Sequence, residues 1–540
     1  MAVTNQGRIE DAWVIVRQTP TLEATNEQQA RLWLALHGRF ASDAGTVEQA
    51  LELLGRYGQS EEFAAAAITT LIMMTRNATL PQPTIARLEQ ATESFFERFP
   101  SSTLLERITV DVEDPEAVLA QFRKRLEPGA AQYAEVRAQV VKGMFPVGML
   151  AIAARKPYTE ALLHRAPGFL PAFPAAPALV DQERHLATDA LEGTVIVEPS
   201  ALYLAGLVPD RWPDLLAAFA HLQLPDASLG DILAARDGLA LRSTANMGWN
   251  ADQQRMVIVE ISQADADLLA QRAAWMARTA LSLDVMTVGA LTQFPEMDSE
   301  FARSWLAPLE LAKRQGVAVL SDDVALRGLA RSFGIPAFGS IAVLDALVAK
   351  GHLEPAARDA ALLELRRNFV VDLPFDAEQL RQVAEADEWR PGPAYFVLTR
   401  PATWENRQQA LAFYRVGQRR IASGDSGNLP QWLQAAILGF AAGQPPSGVT
   451  FGAGLLLSLT TLEANMDPEI FAALVPAARQ AATDLGGGDP LPKTVRDIAA
   501  IFVEALGHAE GARYALLHAF SALDPADRLL AVRELLTGRL

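Results

Sequence analysis

Four acidic residues carry most of the chemistry that this sequence could do. Asp322 and Asp323 stand side by side just after a short apolar run, Val317–Leu320, which reads as a buried parallel strand. Glu198 ends a second run, Thr194–Val197, and Pro199 after it keeps that residue extended. Asp231 lies early in a helix whose cap is predicted at Ser228. Acids at the carboxyl ends of parallel strands lie where open α/β sheets bind ligands. The chain has no cysteine, which excludes disulfides, thiolate zinc sites and a cysteine nucleophile.

The elements that must position these acids sit in a long, helix-rich chain. Its 540 residues are too many for one ordinary core, so roughly two to four domains are expected. Residues 1–125 read as consecutive amphipathic helices over Ile9–Arg17, Glu27–Gly38, Thr46–Arg56, Glu61–Arg76 and Thr84–Phe99. Trp33–Leu36 and Ile68–Leu71 fall about one tetratricopeptide period apart, which predicts an α-solenoid-like array, with a non-repetitive bundle as the alternative. Residues 126–192 read as a helical connector punctuated by Gly143, Pro146 and Gly148 and made locally basic by Arg155, Lys156 and Arg165. Residues 193–400 alternate strands with helices, which argues for a parallel α/β sheet. Within them Thr244–Ile261 reads as an inserted hairpin, Phe369–Val371 as a short strand and Tyr395–Leu398 as a last one. Residues 401–540 return to helices joined by Gly- and Pro-rich links.

A net charge of −17 argues against a protein that coats nucleic acid, because phosphate affinity comes from Lys and Arg; a local basic groove for RNA is still compatible with it. The first residues lack the features of a signal peptide and no apolar run reaches about 18 residues, so no membrane partner is expected and the cytoplasm is the expected location.

Three segments, TVIVEPSAL, SLGDIL and LSDDVALRGLARSFGIP, give the α/β region its resemblance to a PIN domain, the metal-dependent ribonuclease fold. From about Gly143 to Leu373 the chain more closely resembles the PIN-type module of large bacterial helical-repeat proteins of conflict or defence systems. That likeness rests on Gly143–Ala151, Asp322–Ala330 and Asp372–Pro374. The resemblance implies a PIN-like α/β domain, and the periodicity flanks it with all-α, tetratricopeptide-like arrays. It also implies a divalent-metal-dependent endoribonuclease that cleaves RNA, for which the helical arms are expected to take a protein partner.

Glu198, Asp231 and Asp323 are the implied catalytic residues and metal ligands, and Asp322 is a fourth ligand or a group that orients the others. Carboxylates gathered in this way repel one another, and Mg²⁺ or Mn²⁺ relieves the repulsion. Ser340 stands where many PIN proteins carry a further acid, and Arg327 is either an ion-pair partner of Asp323 or a clamp for substrate phosphate. Glu198 in place of the usual Asp, with no clear fourth acid, sustains the alternative of a catalytically inactive PIN-like scaffold. Plainer roles exist for each acid: a first-turn helix acid for Asp231, an N-cap pair for Asp322 and Asp323, a solvated strand end for Glu198. The segments GDSGN and GGGDPLPKT read as linkers, and the arginines at 407, 415, 419 and 420 as a solvated helix face.

Overall fold

The computed structural model describes residues 9–18, 23–40, 43–75, 80–102, 104–105, 115–164, 170–174, 176–240, 245–250, 255–507 and 509–537. Arg165 and Thr244 lie outside them. The chain divides into two compact units, Met1–Ala130 with Met247–Val257, and Ala131–Asn246 with Ile258–Leu540.

The first unit is built from amphipathic helices: α1 (Ile9–Gln18), α2 (Glu27–Phe40), α3 (Ala44–Tyr57), α4 (Glu61–Thr75) and α5 (Gln82–Arg98). Asp43 starts α3, its carboxylate accepting the Thr46 N–H at 3.0 Å. Helix α2 packs on α4, and α3 packs on both α4 and α5. The paired apolar segments meet in one core, where Leu34, Val47, Ile68, Leu71 and Phe95 are buried.

The long helix α6 (Pro115–Val141) leads to two short ones, α7 (Gly148–Ala154) and α8 (Tyr158–Leu163). Next come β1 (Leu170–Pro171), α9 (Pro177–Ala190), β2 (Thr194–Val197), α10 (Pro199–Leu207), α11 (Trp212–Ala217), β3 (His221–Pro225) and α12 (Asp226–Ala240). The hairpin β4 (Ala245–Asn250) and β5 (Arg255–Glu260) precedes α13 (Gln263–Ala280), β6 (Asp284–Met286), α14 (Glu300–Gln315), β7 (Ala318–Leu320), α15 (Val324–Ser332), β8 (Ala337–Phe338) and α16 (Ser340–Ala349).

Five of these strands form a parallel sheet in the order β6-β3-β2-β7-β8. Val195, Ile196 and Val197 are buried on both faces of its central strand, as a continuous β-branched run requires. From β2 the chain runs first toward β3 and β6, then returns to the other side for β7 and β8. The order therefore reverses between β2 and β7, and the crevice beyond their carboxyl ends is the place where such sheets bind ligands.

Residues 126–192, read as a helical connector, contribute Val147, Leu150, Tyr158 and Leu162 to the same hydrophobic core as the sheet. One sequence expectation changes. Tyr395–Leu398 is helical rather than a strand, because Pro393 provides a ready first helical residue.

After α17 (Pro355–Arg367), strand β9 (Val370–Val371) pairs with β1 outside the main sheet. The chain continues through α18 (Ala377–Ala386), α19 (Pro393–Leu398), α20 (Arg407–Ser423), α21 (Leu429–Phe440), α22 (Pro446–Glu463), α23 (Pro468–Asp484), α24 (Leu491–Leu506), α25 (Ala509–Ala519) and α26 (Pro525–Thr537) around a second core. A Cβ at Gly439 in α21 would meet the Leu398 carbonyl oxygen at 2.1 Å and Trp404 Nε1 at 2.5 Å, the pair whose own hydrogen bond is 2.8 Å long. Gly439→Ala is therefore expected to cost about 1–3 kcal/mol, read as a lower denaturant midpoint for the C-terminal helices.

Candidate acidic site

The end of β2 is fixed by its neighbour, since the Glu198 N–H donates to the Leu320 carbonyl of β7 at 3.0 Å. Extended backbone at Glu198 (φ −103°, ψ 146°) turns its side chain into the N-cap of α10. One oxygen, Oε2, accepts the Ser200 N–H at 3.1 Å, the Ser200 hydroxyl and the Ser321 hydroxyl at 2.9 Å. The other, Oε1, is buried with no donor at close hydrogen-bond distance, and the Tyr158 hydroxyl acts on the carboxylate as a longer-range donor. Glu198 is fully buried, not a solvated strand end. Burial pushes its carboxyl up to about 7, against the lowering effect of Ser200.

Asp323 caps α15: Oδ1 accepts the Ala325 and Leu326 N–H groups at 3.0 and 3.1 Å. Its Oδ2 accepts the Val147 N–H at 2.6 Å, a contact across the fold from the entry to α7. Asp231 performs the same service for α8, whose own N-cap, Pro157, offers no side-chain acceptor. Oδ1 of Asp231 takes the Tyr158 N–H at 2.7 Å and Oδ2 the Thr159 N–H at 2.8 Å. Burial raises the pKa of both aspartates, and these N–H groups pull against it.

All three acids face one side chain. The Tyr158 phenol is completely buried, and its pKa is driven up by desolvation, then by the charges of Glu198, Asp323 and Asp231. The charges of Glu198, Asp323 and Asp231 thus all reach the Tyr158 phenol, which lies among them in the core.

Asp322 is turned elsewhere, accepting the Ser340 N–H at 2.8 Å and the Ser340 hydroxyl at 2.5 Å. Burial lifts it to about 6, with Ser340 and then Arg327 opposing. Successive residues of an extended chain point to opposite sides, and this alternation separates the two neighbouring aspartates.

The geometry corrects several expectations. Arg327 neither pairs with Asp323 nor offers itself to a phosphate. Its buried guanidinium donates to Glu183 Oε1 at 2.9 Å, to the Ser321 carbonyl at 2.8 Å and to the Ala172 carbonyl at 3.0 Å. Ser340, also buried, serves Asp322 rather than a substrate. Ser228 is no cap, because α12 begins at Asp226 and the Ser228 hydroxyl donates to the Ser304 carbonyl at 2.6 Å. Arg415 and Arg419 both pair with Glu463, as a solvated helix face would. Tyr158, Val147, Thr159, Ser200 and Ser321 belong to the site, and sequence reasoning missed them all.

Divalent cations of the Mg²⁺ class need several free oxygen ligands and keep waters of their own. Among the described residues no three His, Asp or Glu side chains are grouped so as to hold a metal ion. Both oxygens of Asp231, Asp322 and Asp323 already accept protein donors. As placed, these residues do not fit a divalent cation, and Glu198, Asp231, Asp322 and Asp323 as its ligands stay an expectation of the sequence. Asp322 is the member that the fold removes from the group altogether.

Residues 196–332 match the family described as the PIN domain associated with the TPR-GreAB-C-PIN system. The chain carries a PIN module. The match begins inside β2 and ends with α15, so it includes Glu198, Asp231, Asp322 and Asp323 and leaves out the helices that supply Val147 and Tyr158. No curated protein and no solved structure matches the chain. Parallel strands flanked by helices, within an otherwise helical chain, place this PIN-type, nuclease-like domain in a helical-repeat protein. PIN domains as a class use divalent metals. Among the described residues no helix is long and apolar enough to cross a membrane.

Proposed function

We propose that the chain is a divalent-metal-dependent ribonuclease of PIN type that cleaves RNA phosphodiesters and is controlled through its helical arms. One observation carries this reading. Glu198 and Asp323 come after adjacent parallel strands, Asp231 sits on the helix after the next strand, and the charges of all three reach Tyr158. Mg²⁺ or Mn²⁺ is the cofactor the reading requires. RNA is the substrate, approached locally rather than by a general basic surface, and the helical arms take a protein partner that controls access. A place in a bacterial conflict or defence system belongs to the same proposal.

The scaffold alternative keeps one specific observation in its favour: apart from Glu198 Oε1, every oxygen of these acids already accepts a close protein hydrogen bond. Incubation of the full-length protein with several structured and unstructured RNAs, with and without Mn²⁺, separates the two. The nuclease reading expects Mn²⁺-dependent cleavage that Asp323→Asn abolishes while circular dichroism stays unchanged. Equal cleavage by Asp323→Asn, or no cleavage by any form of the protein, leaves the scaffold.

A further inference from the structure

The first helical unit carries an open groove between α3, α4 and α5. Its floor is apolar, with Leu54 of α3, Ile68 of α4 and Phe95 of α5 rising from the core of the unit, and its volume is about 290 Å³. One wall is α5 itself, where Arg87, Gln90, Ser94 and Arg98 recur every three or four residues and so share a helix face. Two guanidiniums and no carboxylate line this groove, in a chain whose net charge is −17. Arg87 pairs with Glu48 just outside the lining. Arg98, which is exposed, meets no carboxylate among the described residues; its Nη1 donates to the Gly58 carbonyl at 2.6 Å.

We infer that this groove docks a short extended segment of a partner protein, which lays a large apolar side chain on the Leu54, Ile68 and Phe95 floor and sets an acidic side chain against Arg98. This rests on the partner proposed above for the helical arms and is independent of RNA cleavage.

Charge and length choose this occupant. Arg87 and Arg98 lie about three turns apart on α5, roughly 16 Å, which is the span of about five extended residues. The exposed amide of Gln90 and hydroxyl of Ser94 lie between them, where the backbone of such a segment would run. A guanidinium fork fits a carboxylate, and Arg98 has none of its own. A nucleic-acid strand would need several cations along its phosphates, and this wall offers one that no acid already holds. Gly55 keeps the groove open from the last turn of α3: it lines the space, and a Cβ placed on it would meet nothing within 4 Å. Glycine weakens a helix relative to alanine, and at this position no crowding requires it.

Short random peptides displayed on phage and selected against the immobilised full-length protein are the probe, and the enriched sequences are then titrated as fluorescein-labelled peptides. They are expected to pair a large apolar residue with Asp or Glu. Gly55→Phe, which fills the groove, and Arg98→Glu, which reverses its charge, are each expected to weaken binding at least about tenfold. Exchanging the peptide's acid for lysine is expected to restore binding to Arg98→Glu, a rescue that a purely structural role at the Gly58 carbonyl would not give. Circular dichroism of Gly55→Phe is expected to match the wild type, because its Cβ enters open space. No enrichment, or enriched sequences without an acid, overturns the docking groove. Peptides that bind but ignore both variants overturn it too, while leaving the helical arms a partner elsewhere. Self-association that Gly55→Phe abolishes would give the groove to a second copy of this chain and likewise refute a foreign segment. Mn²⁺-dependent RNA cleavage by a protein that enriches no such peptide refutes the groove and leaves the nuclease standing; peptide binding without cleavage does the reverse.

Discussion

Glu198→Gln is expected to make this protein more stable at pH 8, by about 3 kcal/mol. Burial raises the Glu198 carboxyl from 4.5 to about 7, and a rise of that size corresponds to about 3 kcal/mol. Between those two values the folded protein holds a proton that the unfolded chain has released. The native state then binds more protons than the unfolded one, so stability falls as pH rises through the window from 4.5 to about 7. Above about 7 the carboxylate is charged in both states and the full penalty is in place. A glutamine removes it and suits the site: its carbonyl can accept the Ser200 and Ser321 donors that Oε2 now takes. Its amide would then face the Tyr158 phenol oxygen, which can accept where its hydroxyl now acts as a donor.

Denaturant midpoints at pH 5 and pH 8 test this. Asp322, pushed up to about 6, adds a similar slope to both proteins, so the difference between them isolates Glu198. A variant less stable than wild type at pH 8, or one with an unchanged pH slope, refutes the assignment. A stabilising replacement at a position that the chain nonetheless keeps acidic would mark Glu198 as retained for chemistry rather than for stability.

The sequence made some of this legible and hid the rest for physical reasons. Apolar runs bounded by Gly193 and Gly316 mark β2 and β7, and Pro199 holds Glu198 extended; such signals are local, and the fold keeps them. Tyr395–Leu398 is a four-residue apolar run, too short for periodicity to tell strand from helix, and its α-helix shows only through Pro393. Glu300–Gln315, which supplies Trp305 and Ser304, carries an internal proline at 308 that masks its helical character. The opposed directions of Asp322 and Asp323 were readable from strand alternation. The hydrogen bonds of Val147 and Tyr158 to Asp323 and Asp231 were not, because backbone N–H groups carry no sequence signature and their partners lie far along the chain.

Arg327→Ala is expected to cost the PIN module about 3–5 kcal/mol, the loss typical of breaking a buried ion pair from one side. Arg327 is fully buried and its three donor bonds fasten three separate pieces together: Glu183 on α9, the Ser321 carbonyl after β7, and the Ala172 carbonyl beyond β1. Truncation strands both carbonyls and leaves the 3%-exposed Glu183 with Arg331 alone, at 3.0 Å. It also removes the positive charge that helps hold the buried Asp322 carboxyl down, so the penalty grows with pH as Asp322 ionises. Arg327→Lys keeps the charge but offers a single ammonium where a planar fork reaches three acceptors, and is expected to recover only part of the loss. Amide hydrogen exchange in β2 and β7 reads the effect at the sheet itself. A loss below about 1 kcal/mol would mean that the guanidinium behaves as a surface ion-pair partner and that water reaches this side of the sheet. The full loss, with Tyr158 and Val147 still protected, would establish that Asp322 and Arg327 form a structural brace separate from Glu198, Asp231 and Asp323.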